Sequence, residues 1–384
     1  MTELKQNPMF KYLLVLTVSS TIGLHIWRTL FDNFGVNVIG LDGSHIGFLQ
    51  SVREVPGFLA LLVVYVLLVV KEHRLSSISV LILGIGVALT GLLPSFYGLV
   101  CTTLIMSFGF HYFETTNQSL TLQYFDTMTA PIVFGRLRSL ASAGNIGAGV
   151  MIFILAPFLN YTQMYLLFGG MVIVAALWGL SQNPTRQDII PQRKTMVLKK
   201  KYWLFYVLTF IAGARRQIFI AFAVFLLVKK FEFSIQGVAL LFLVNNIVNY
   251  FLSPLIGKAI VKFGERKVLS LEYTGLIIVF IAYGLVESKM LVALLYIFDH
   301  IFFNFAIAIR TFFQKIAEPE DIAPSMAVGF TINHIAAVVL PVLGGLLWMI
   351  DYRIVFFAGA FLSFVSLLFV QQITTQLRCN TKEN

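Results

Sequence analysis

The sequence predicts an all-α membrane protein with about twelve transmembrane helices. Of the 384 residues, 58% are hydrophobic and only 12% are charged, whereas a soluble domain carries about 25% charged residues. The apolar residues gather into about twelve runs, each long enough to cross a bilayer, which takes about 20 mostly apolar residues. All polar connections between the runs are short except one near the middle of the chain.

The predicted helices follow these runs in chain order. We place them near residues 11–34, 45–70, 75–93, 95–123, 136–158, 162–180, 202–228, 234–260, 268–287, 289–315, 323–347 and 351–372. Several are longer than a bilayer requires, which predicts tilting or extension beyond it. No small-residue cleavage site follows the first run, so we expect a membrane span there and no signal peptide.

The longest polar connection, residues 181–201, divides the chain into two halves. It contains two prolines and six basic residues, and it ends in three consecutive lysines. The predicted domains are a six-helix bundle at 1–180, a cytoplasmic basic linker at 181–201, a second six-helix bundle at 202–374 and a cytoplasmic tail at 375–384.

Positive charge in the connections predicts the orientation. If both termini face the cytoplasm, 20 of the 28 lysines and arginines lie in cytoplasmic segments and four lie outside. Cytoplasmic connections of membrane proteins are enriched in basic residues, so this bias favours cytoplasmic termini. It also explains the net charge of +10, and we expect no nucleic-acid partner. The remaining four basic residues, which fall within predicted spans, are Arg28, Arg53, Arg215 and Arg216.

Composition also limits the chemistry. The two cysteines, Cys101 and Cys379, are far apart, and no motif has the spacing of a metal site. The sequence contains no nucleophile–base arrangement, no phosphate-binding loop and no appended domain. We therefore expect no cofactor, no bound metal and no enzymatic activity.

The connection between the eighth and ninth predicted helices carries a recognisable motif. Gly257 and Gly264 flank the stretch Lys-Ala-Ile-Val-Lys-Phe, and Arg266 with Lys267 follows. This resembles the signature cytoplasmic loop of the major facilitator superfamily, with Val261 where that family has aspartate. Glycines permit a tight turn between helix ends, and basic groups hold a loop on the cytoplasmic side.

Two six-helix halves joined by a basic loop resemble the same superfamily over nearly the whole chain. The resemblance implies its fold of twelve helices in two bundles, with the first, fourth, seventh and tenth helices lining a central cavity. It also implies transport by rocking of the two halves about a midplane site. The eleventh helix, with a proline and paired glycines, resembles facilitator helices that bend and pack closely. Residues expected to act in gating or packing are Gly257, Gly264, Arg266, Asn333, His334 and Pro341.

Ionisable side chains inside the spans are the main functional evidence, since each costs a few kcal/mol in lipid unless it faces a cavity or a partner. Several of them lie on the four helices that the resemblance assigns to the cavity. On the first helix, His25, Arg28 and Asp32 share one face at helical spacing. The others are His111 and Glu114 on the fourth helix, Arg215 and Arg216 on the seventh, and Asp299, His300 and Asn304 on the tenth.

These residues predict a substrate and a coupling ion. Arginine keeps its charge and offers a planar donor fork to carboxylate or phosphate, which favours a small anionic or zwitterionic organic solute. The predicted substrate-binding residues are His25, Arg28, His111, Arg215, Arg216, His300 and Asn304. A buried carboxyl group can exchange a proton near neutral pH. The predicted proton-coupling residues are Asp32, Glu54, Glu114 and Asp299.

Structural interpretations of these residues stay open. In the structural interpretation, Arg28 pairs internally with Asp32 or Glu54, and Arg53 pairs with Glu54. Adjacent helical residues point about 100° apart, so one of Arg215 and Arg216 can face the cavity while the other pairs with a carboxylate such as Asp299 or Glu114. The asparagines expected to form interhelical hydrogen bonds are Asn245, Asn246 and Asn249.

Two alternative functions also stay open. Four histidines at mid-depth allow transport of a metal ion or of a siderophore-like metal chelate, although arginines repel a bare cation. The 37 phenylalanines allow a multidrug exporter. In each case we expect a monomeric multi-pass protein of the bacterial cytoplasmic membrane, with a small-molecule substrate, protons as the coupling ion and the lipid bilayer as its surroundings.

Overall fold

Helices form over nearly all of the predicted apolar runs. The computed structural model describes residues 4, 6–41, 43–233 and 235–383. No strand occurs in those ranges. The predicted all-α fold class is therefore confirmed.

The first six long helices lie close to their predicted positions. A π-helical turn, Gly35–Ile39, ends the first helix at Gly40, whose φ of 76° favours glycine. Asn160 and Gln163 form a capping box at the start of the sixth helix. These helices are α1 (Pro8–Phe34), α2 (Gly43–Phe58, continued by a 3-10 turn at Leu59–Leu62 and by Val63–Val66), α3 (Glu72–Thr90), α4 (Phe96–Tyr124), α5 (Ala130–Leu155) and α6 (Tyr161–Ser181).

The second half contains seven further helices, two of them interrupted. Ser288 caps the tenth helix and Asp351 caps the twelfth, because each side chain accepts a hydrogen bond from a backbone N–H of the first turn. The helices are α7 (Trp203–Ile218 and Val224–Lys229, around a π-helical turn at Phe219–Ala223), α8 (Ile235–Phe263), α9 (Glu265–Leu285), α10 (Lys289–Phe303 and Ile307–Ile316, around a 3-10 turn at Asn304–Ala306), α11 (Ile322–Ile350), α12 (Tyr352–Val370) and the short α13 (Ile373–Glu383).

Four helices begin three or more residues earlier than predicted. α1, α3, α5 and α9 start at residues 8, 72, 130 and 265 rather than near 11, 75, 136 and 268. At α5 the carboxylate of Asp126 accepts hydrogen bonds from the N–H groups of Met128 and Thr129, both at 2.9 Å. Hydropathy locates the start of an apolar run, whereas such capping groups determine where helical hydrogen bonding begins.

Ten helices within the described residues are long and apolar enough to cross a membrane. They correspond to ten of the twelve predicted spans. The other two predicted spans are also helical, as α7 and α11. The count of twelve spans and the cytoplasmic position of the termini remain predictions.

Tertiary contacts group the chain into two compact units. Unit 1 contains residues 1–124, 140–197 and 319–331, and unit 2 contains residues 125–139, 198–318 and 332–384. Within unit 1, α3 packs against α4 and α6, and within unit 2, α9 packs against α12. The predicted domain boundaries at residues 180 and 202 remain predictions.

The contact of α3 with α4 depends on small residues. Gly86 lies against the backbone of Met106, and Gly109 lies against the backbone of Leu83. A Cβ atom at either glycine would overlap main-chain atoms that move only with their helix. In lipid, where helix association depends on van der Waals packing, such glycines let two backbones approach closely.

The two glycines of the motif, Gly257 near the end of α8 and Gly264 directly after it, differ in role. Gly264 has a φ of 79° directly before α9, which is the tight turn expected of it. Gly257 lies inside α8, where an added Cβ would meet the carbonyl oxygen of Pro131 on α5. Gly257 therefore lies within the predicted eighth helix, 234–260, and α8 uses this glycine for close helix contact rather than for a turn.

The linker between the halves is irregular but anchored. In unit 1, Arg193 contacts Asp321 at 2.6 Å, and the side chains are 39% and 0% exposed. Gln192 accepts a hydrogen bond from the N–H of Ala323 at 2.8 Å. These contacts tie residues 192–193 to the start of α11.

The lysine end of the linker has its own anchor in unit 2. Lys199 and Lys201 both donate hydrogen bonds to the carboxylate of Glu318, which lowers the pKa of Glu318 to about 2. The N–H of Glu318 donates to the Tyr202 hydroxyl at 3.0 Å. The basic linker thus has defined acidic partners directly before α11.

Gly109→Ala is expected to lower thermal stability in detergent, because the added methyl group overlaps the backbone of Leu83. Overpacking of this kind costs about 1–3 kcal/mol. The matched control is Gly170→Ala in α6, where no described atom lies within 4 Å of an added Cβ. The control should keep or raise the stability, since alanine favours helix over glycine. Equal melting temperatures for both variants would contradict the packing argument.

Arg193→Ala is expected to destabilise unit 1, since it leaves the carboxylate of Asp321 buried without its cation. Uncompensated burial of a hydrogen-bonding group costs about 1–3 kcal/mol. Thermal unfolding in detergent measures the loss. Lys194→Ala removes the same charge from the next, exposed position and should be close to neutral. A comparable loss in both variants would indicate an effect of net charge alone.

Candidate functional site

The predicted site residues fall into both units, and each unit assembles its own polar contacts. Those on α1, α2 and α4 belong to unit 1. Those on α7, α8 and α10, together with Asn333 and His334 on α11, belong to unit 2. Each set is described within its own unit.

His111 is the most enclosed predicted residue of unit 1, with 5% of its surface exposed. Its Nδ1 atom lies 2.9 Å from both the hydroxyl and the carbonyl oxygen of Ser107. A carbonyl oxygen only accepts, so this geometry assigns the ring proton to Nδ1. The Ser107 hydroxyl in turn donates to the carbonyl oxygen of Arg53 on α2.

Arg53 and Glu54 form an ion pair on α2. The distance from Nη2 to Oε1 is 2.7 Å, and the side chains are 16% and 21% exposed. The structural interpretation of Arg53, an internal pair with Glu54, is therefore confirmed.

The predicted residues of α1 differ in exposure. Arg28 is exposed and His25 is half-buried, and the charge of Arg28 acts on the His25 ring. The side chain of Asp32 lies outside the described residues, as does that of Pro341 on α11. On α4, Glu114 is half-buried. Unit 1 thus presents an accessible arginine beside a histidine.

Arg215 is buried in unit 2, with 4% of its surface exposed. Its Nη2 atom lies 3.5 Å from Oε1 of Glu272 on α9. The ring of Tyr273 lies 4.3 Å from the guanidinium carbon, within cation–π distance. The carboxylate in contact with Arg215 is thus Glu272, and not Asp299, one of the two partners suggested from the sequence.

Glu272 is the functional candidate that sequence reasoning missed. It lies inside the ninth predicted span and is 2% exposed. An acidic residue within an apolar run was the available signal, the same signal that identified Glu114 and Asp299. Its position near the start of the span made it resemble a residue at the helix end.

Arg216 takes a different partner from its neighbour. Its Nη2 atom lies 3.3 Å from Nε2 of His334 on α11. Arginine only donates, so Nε2 accepts and the His334 proton lies on Nδ1. Close packing supports this contact, because Gly213 lies against the carbonyl group of Asn333. Arg216 is partly exposed, whereas His334 is 2% exposed.

A hydrogen-bonded string joins α8 to α10. The side-chain nitrogen of Asn249 lies 2.8 Å from Nε2 of His300, and Asn304 donates to Oδ1 of Asn249 at 2.6 Å. Asn304 also donates to the carbonyl oxygen of His300 at 2.8 Å. The interhelical bonds predicted for Asn249 are therefore confirmed. The charge of Arg138 on α5 acts on the His300 ring.

The polar residues of unit 2 lie beside breaks in their helices. Arg215 and Arg216 lie within one helical turn before the π-helical turn of α7, which begins at Phe219, and Asn304 begins the 3-10 turn of α10. Such turns within a helix often mark a functional hinge. Neither turn contains proline or glycine, so the residue types in the sequence did not predict these interruptions.

The break in α2 has an identifiable cause in unit 1. Pro56 lies inside this helix and supplies no N–H donor. The Thr331 hydroxyl donates to the carbonyl oxygen of Phe58 at 3.0 Å and accepts from the N–H of Leu61 at 2.9 Å. A side chain inserted into the backbone ladder in this way stabilises a kink.

Long apolar helices with partnered ionisable groups inside them are typical of multi-pass membrane proteins. The model of the Major Facilitator Superfamily matches residues 205–376. No curated protein sequence matches the chain significantly. The chain is thus similar in sequence to the major facilitator superfamily over residues 205–376, and it is a multi-pass membrane protein.

Solved structures of the same fold cover both halves of the chain. The transporter FucP aligns with a TM-score of 0.75 at 12% identity, over 95% of this chain and 98% of its own. The human organic anion transporter MFSD10 (TETRAN) aligns at 0.74 and 11%, over 95% and 99%. A bacterial homologue of the iron transporter ferroportin aligns at 0.75 and 11%, over 96% and 99%. At these identities the likeness establishes the fold.

Asn249→Ala is expected to destabilise the protein by about 1–3 kcal/mol, because it leaves the buried Asn304 amide and the His300 ring short of a partner. Thermal unfolding in detergent measures the effect. The control is Asn246→Ala one turn earlier, whose amide donates to the Phe242 carbonyl oxygen of its own helix at 3.0 Å. The string would be unimportant for stability if both variants unfolded at the same temperature.

Proposed function

We propose that the chain is a secondary active transporter that moves a small anionic or zwitterionic organic solute by alternating access, coupled to protons. The observation that carries this proposal is the pair of adjacent arginines in the middle of α7, within one helical turn before its π-helical turn. Their charge is permanent, and each has a defined partner within unit 2.

The two arginines have different tasks in this proposal. Arg215 is buried against Glu272, so it belongs to the internal ion pair. Arg216 is partly exposed, and it is assigned to the solute. Its contact with the neutral acceptor of His334 orients the guanidinium, whose planar fork has five N–H donors. In unit 1, the exposed Arg28 with the neighbouring His25 is assigned the same task.

The remaining predicted binding residues supply polar contacts without charge. His111, His300 and Asn304 are all hydrogen-bonded within their units. Such groups favour a solute with hydroxyl, amino or carbonyl groups beside its anionic group, since a site built to hydrogen-bond discriminates against analogues that lack the matching group.

Proton coupling is assigned first to Asp299 and Glu114. Asp299 is 2% exposed, and its Oδ2 atom has no hydrogen-bond partner among the described residues. Glu114 is half-buried on α4. Glu54 is a weaker candidate, because its carboxylate already pairs with Arg53 at 2.7 Å. Proton-coupled transport is compatible with this fold, since a fucose:proton symporter and a proton:xylose symporter have the same fold.

The proposal places the protein as a monomer in the bacterial cytoplasmic membrane, with both termini in the cytoplasm. The bias of 20 basic residues against four supports this orientation. It also predicts that the linker and its acidic partners before α11 lie on the cytoplasmic side.

The test is thermal stabilisation of the purified protein by a panel of organic anions, zwitterions, divalent metals and lipophilic cations, since a ligand that binds the native state raises its melting temperature. Stabilisation by anionic or zwitterionic solutes is expected. For such a solute, Arg216→Gln should weaken binding about 10-fold or more, since a hydrogen bond to a charged group contributes about 1.5–3 kcal/mol.

The control is Arg74→Gln, which removes an exposed arginine at the start of α3 and should leave binding unchanged. Stabilisation by metals alone would support the metal-transport alternative. Stabilisation by lipophilic cations alone would support the exporter alternative. Proteoliposomes that accumulate the solute without any proton movement would contradict proton coupling.

A further inference from the structure

A polar face runs along α8 in unit 2. Asn245 and Asn249 are four residues apart, so they lie on the same face of this helix. Each is 3% exposed, in a stretch of α8 that is otherwise rich in leucine and valine. This face therefore buries two amide side chains in a helix that is long and apolar enough to cross a membrane.

The polar face meets α10 at two levels. One turn before Asn245, the ring centroid of Phe242 lies 6.2 Å from that of Tyr296. One turn after it, the side-chain nitrogen of Asn249 lies 2.8 Å from Nε2 of His300. Tyr296 and His300 are themselves one turn apart on α10. Helical periodicity therefore places Asn245 at the interface with α10, between these two contacts.

An aromatic ring from α7 completes this region. Phe219, the first residue of the π-helical turn, stacks on Tyr296 with ring centroids 5.1 Å apart and lies 6.0 Å from the ring of His300. Phe219 and Tyr296 are 6% and 4% exposed. Arg216, which is assigned to the anionic group of the solute, lies three residues before Phe219 and therefore on the same side of α7. The region around Asn245 thus adjoins the proposed anion site.

The amide of Asn245 differs from that of Asn249. Both ends of the Asn249 amide are used within the string that joins α8 to α10. The Nδ2 and Oδ1 atoms of Asn245 are buried and have no hydrogen-bond partner among the described residues. The side chains at this level of α7 and α10, Phe219 and Tyr296, are aromatic rings. The interhelical hydrogen bond predicted for Asn245 is therefore not formed in the part of the chain that the structure describes.

The chemistry of the amide limits what its partner can be. A buried amide without a hydrogen bond costs free energy, whereas leucine or valine, which surround Asn245 in the sequence, could be buried there without that cost. An amide carries an NH₂ donor group and a carbonyl acceptor. A carboxylate only accepts and an ammonium group only donates, whereas a hydroxyl group does both from a single atom. Asn245 therefore fits a hydroxyl group that is not part of the chain.

We propose that Asn245 binds a hydroxyl group of the transported solute, which makes the substrate a hydroxylated organic acid. The amide nitrogen donates to the hydroxyl oxygen, or the amide oxygen accepts a hydrogen bond from the hydroxyl group. Phe219 and Tyr296 provide the aromatic contact area typical of a small-molecule site, and Arg216 holds the anionic group. This inference rests on the proposed transport of an anionic solute, and it narrows that class to hydroxy acids.

Matched acids test the inference in the purified wild-type protein. The pairs are lactate with propionate, malate with succinate, and gluconate with hexanoate, whose members differ in hydroxyl groups but not in charge or number of carbon atoms. Melting temperatures measured against acid concentration give the affinities. In at least one pair the hydroxy acid should bind about 10-fold more tightly or more, because a site built to hydrogen-bond a hydroxyl group rejects the analogue that lacks it.

Asn245→Leu should bind both members of that pair equally. It should also keep or raise the melting temperature without ligand, because no described hydrogen bond is lost. The control is Asn246→Leu, which changes the neighbouring asparagine, whose amide donates to the Phe242 carbonyl oxygen of its own helix at 3.0 Å. This control should retain the preference for the hydroxy acid.

Three results would overturn the inference and leave the proposed function standing. The first is wild-type protein that binds organic anions without preferring the hydroxy acid in any pair. The second is an unchanged preference in Asn245→Leu. The third is a melting temperature of Asn245→Leu as low as that of Asn249→Ala, which would indicate a structural amide. If no anion or zwitterion of the panel binds at all, the proposed function fails and this inference fails with it.

Discussion

A bilayer offers the backbone no water, and the rest of this structure depends on that constraint. Every N–H and C=O group in the hydrocarbon region must bond within the protein, so the described chain is helical almost wherever it is apolar. Side chains follow the same requirement. The arginines inside the spans include Arg53, which pairs with Glu54, and Arg215, which pairs with Glu272. Each pairing lowers the free-energy cost of placing a charged side chain in a membrane span.

The two ion pairs differ in how far their contacts depend on packing between helices. Arg53 and Glu54 are neighbours on one helix, so their contact survives any movement of α2 as a rigid body. Arg215 and Glu272 come from different helices, and their contact depends on how α7 packs against α9. Arg216, one residue later, contacts a neutral histidine and keeps part of its surface exposed. Adjacent arginines on one helix thus acquire separate roles from the roughly 100° rotation between consecutive residues.

Uninterrupted and interrupted helices have different roles in the fold. In unit 1, α3 and α4 meet through glycine contacts with backbone on both sides, which resists sliding or separation. In unit 2, α7 and α10 change their hydrogen-bonding pattern beside the polar residues. A helix with a π or 3-10 turn has backbone groups whose bonds can shift at small cost, so movement in unit 2 is expected to concentrate there.

The sequence by itself determined the all-α fold class, the approximate position of each long helix and the list of ionisable residues in the spans, because length, hydropathy and charge are local properties. It could not reveal that Glu272 is the carboxylate at Arg215, that Gly257 packs against Pro131, or that α7 and α10 are interrupted. Those features depend on which helix faces which residue across the unit. Spacing places residues on a face of one helix, and only tertiary packing decides what that face meets.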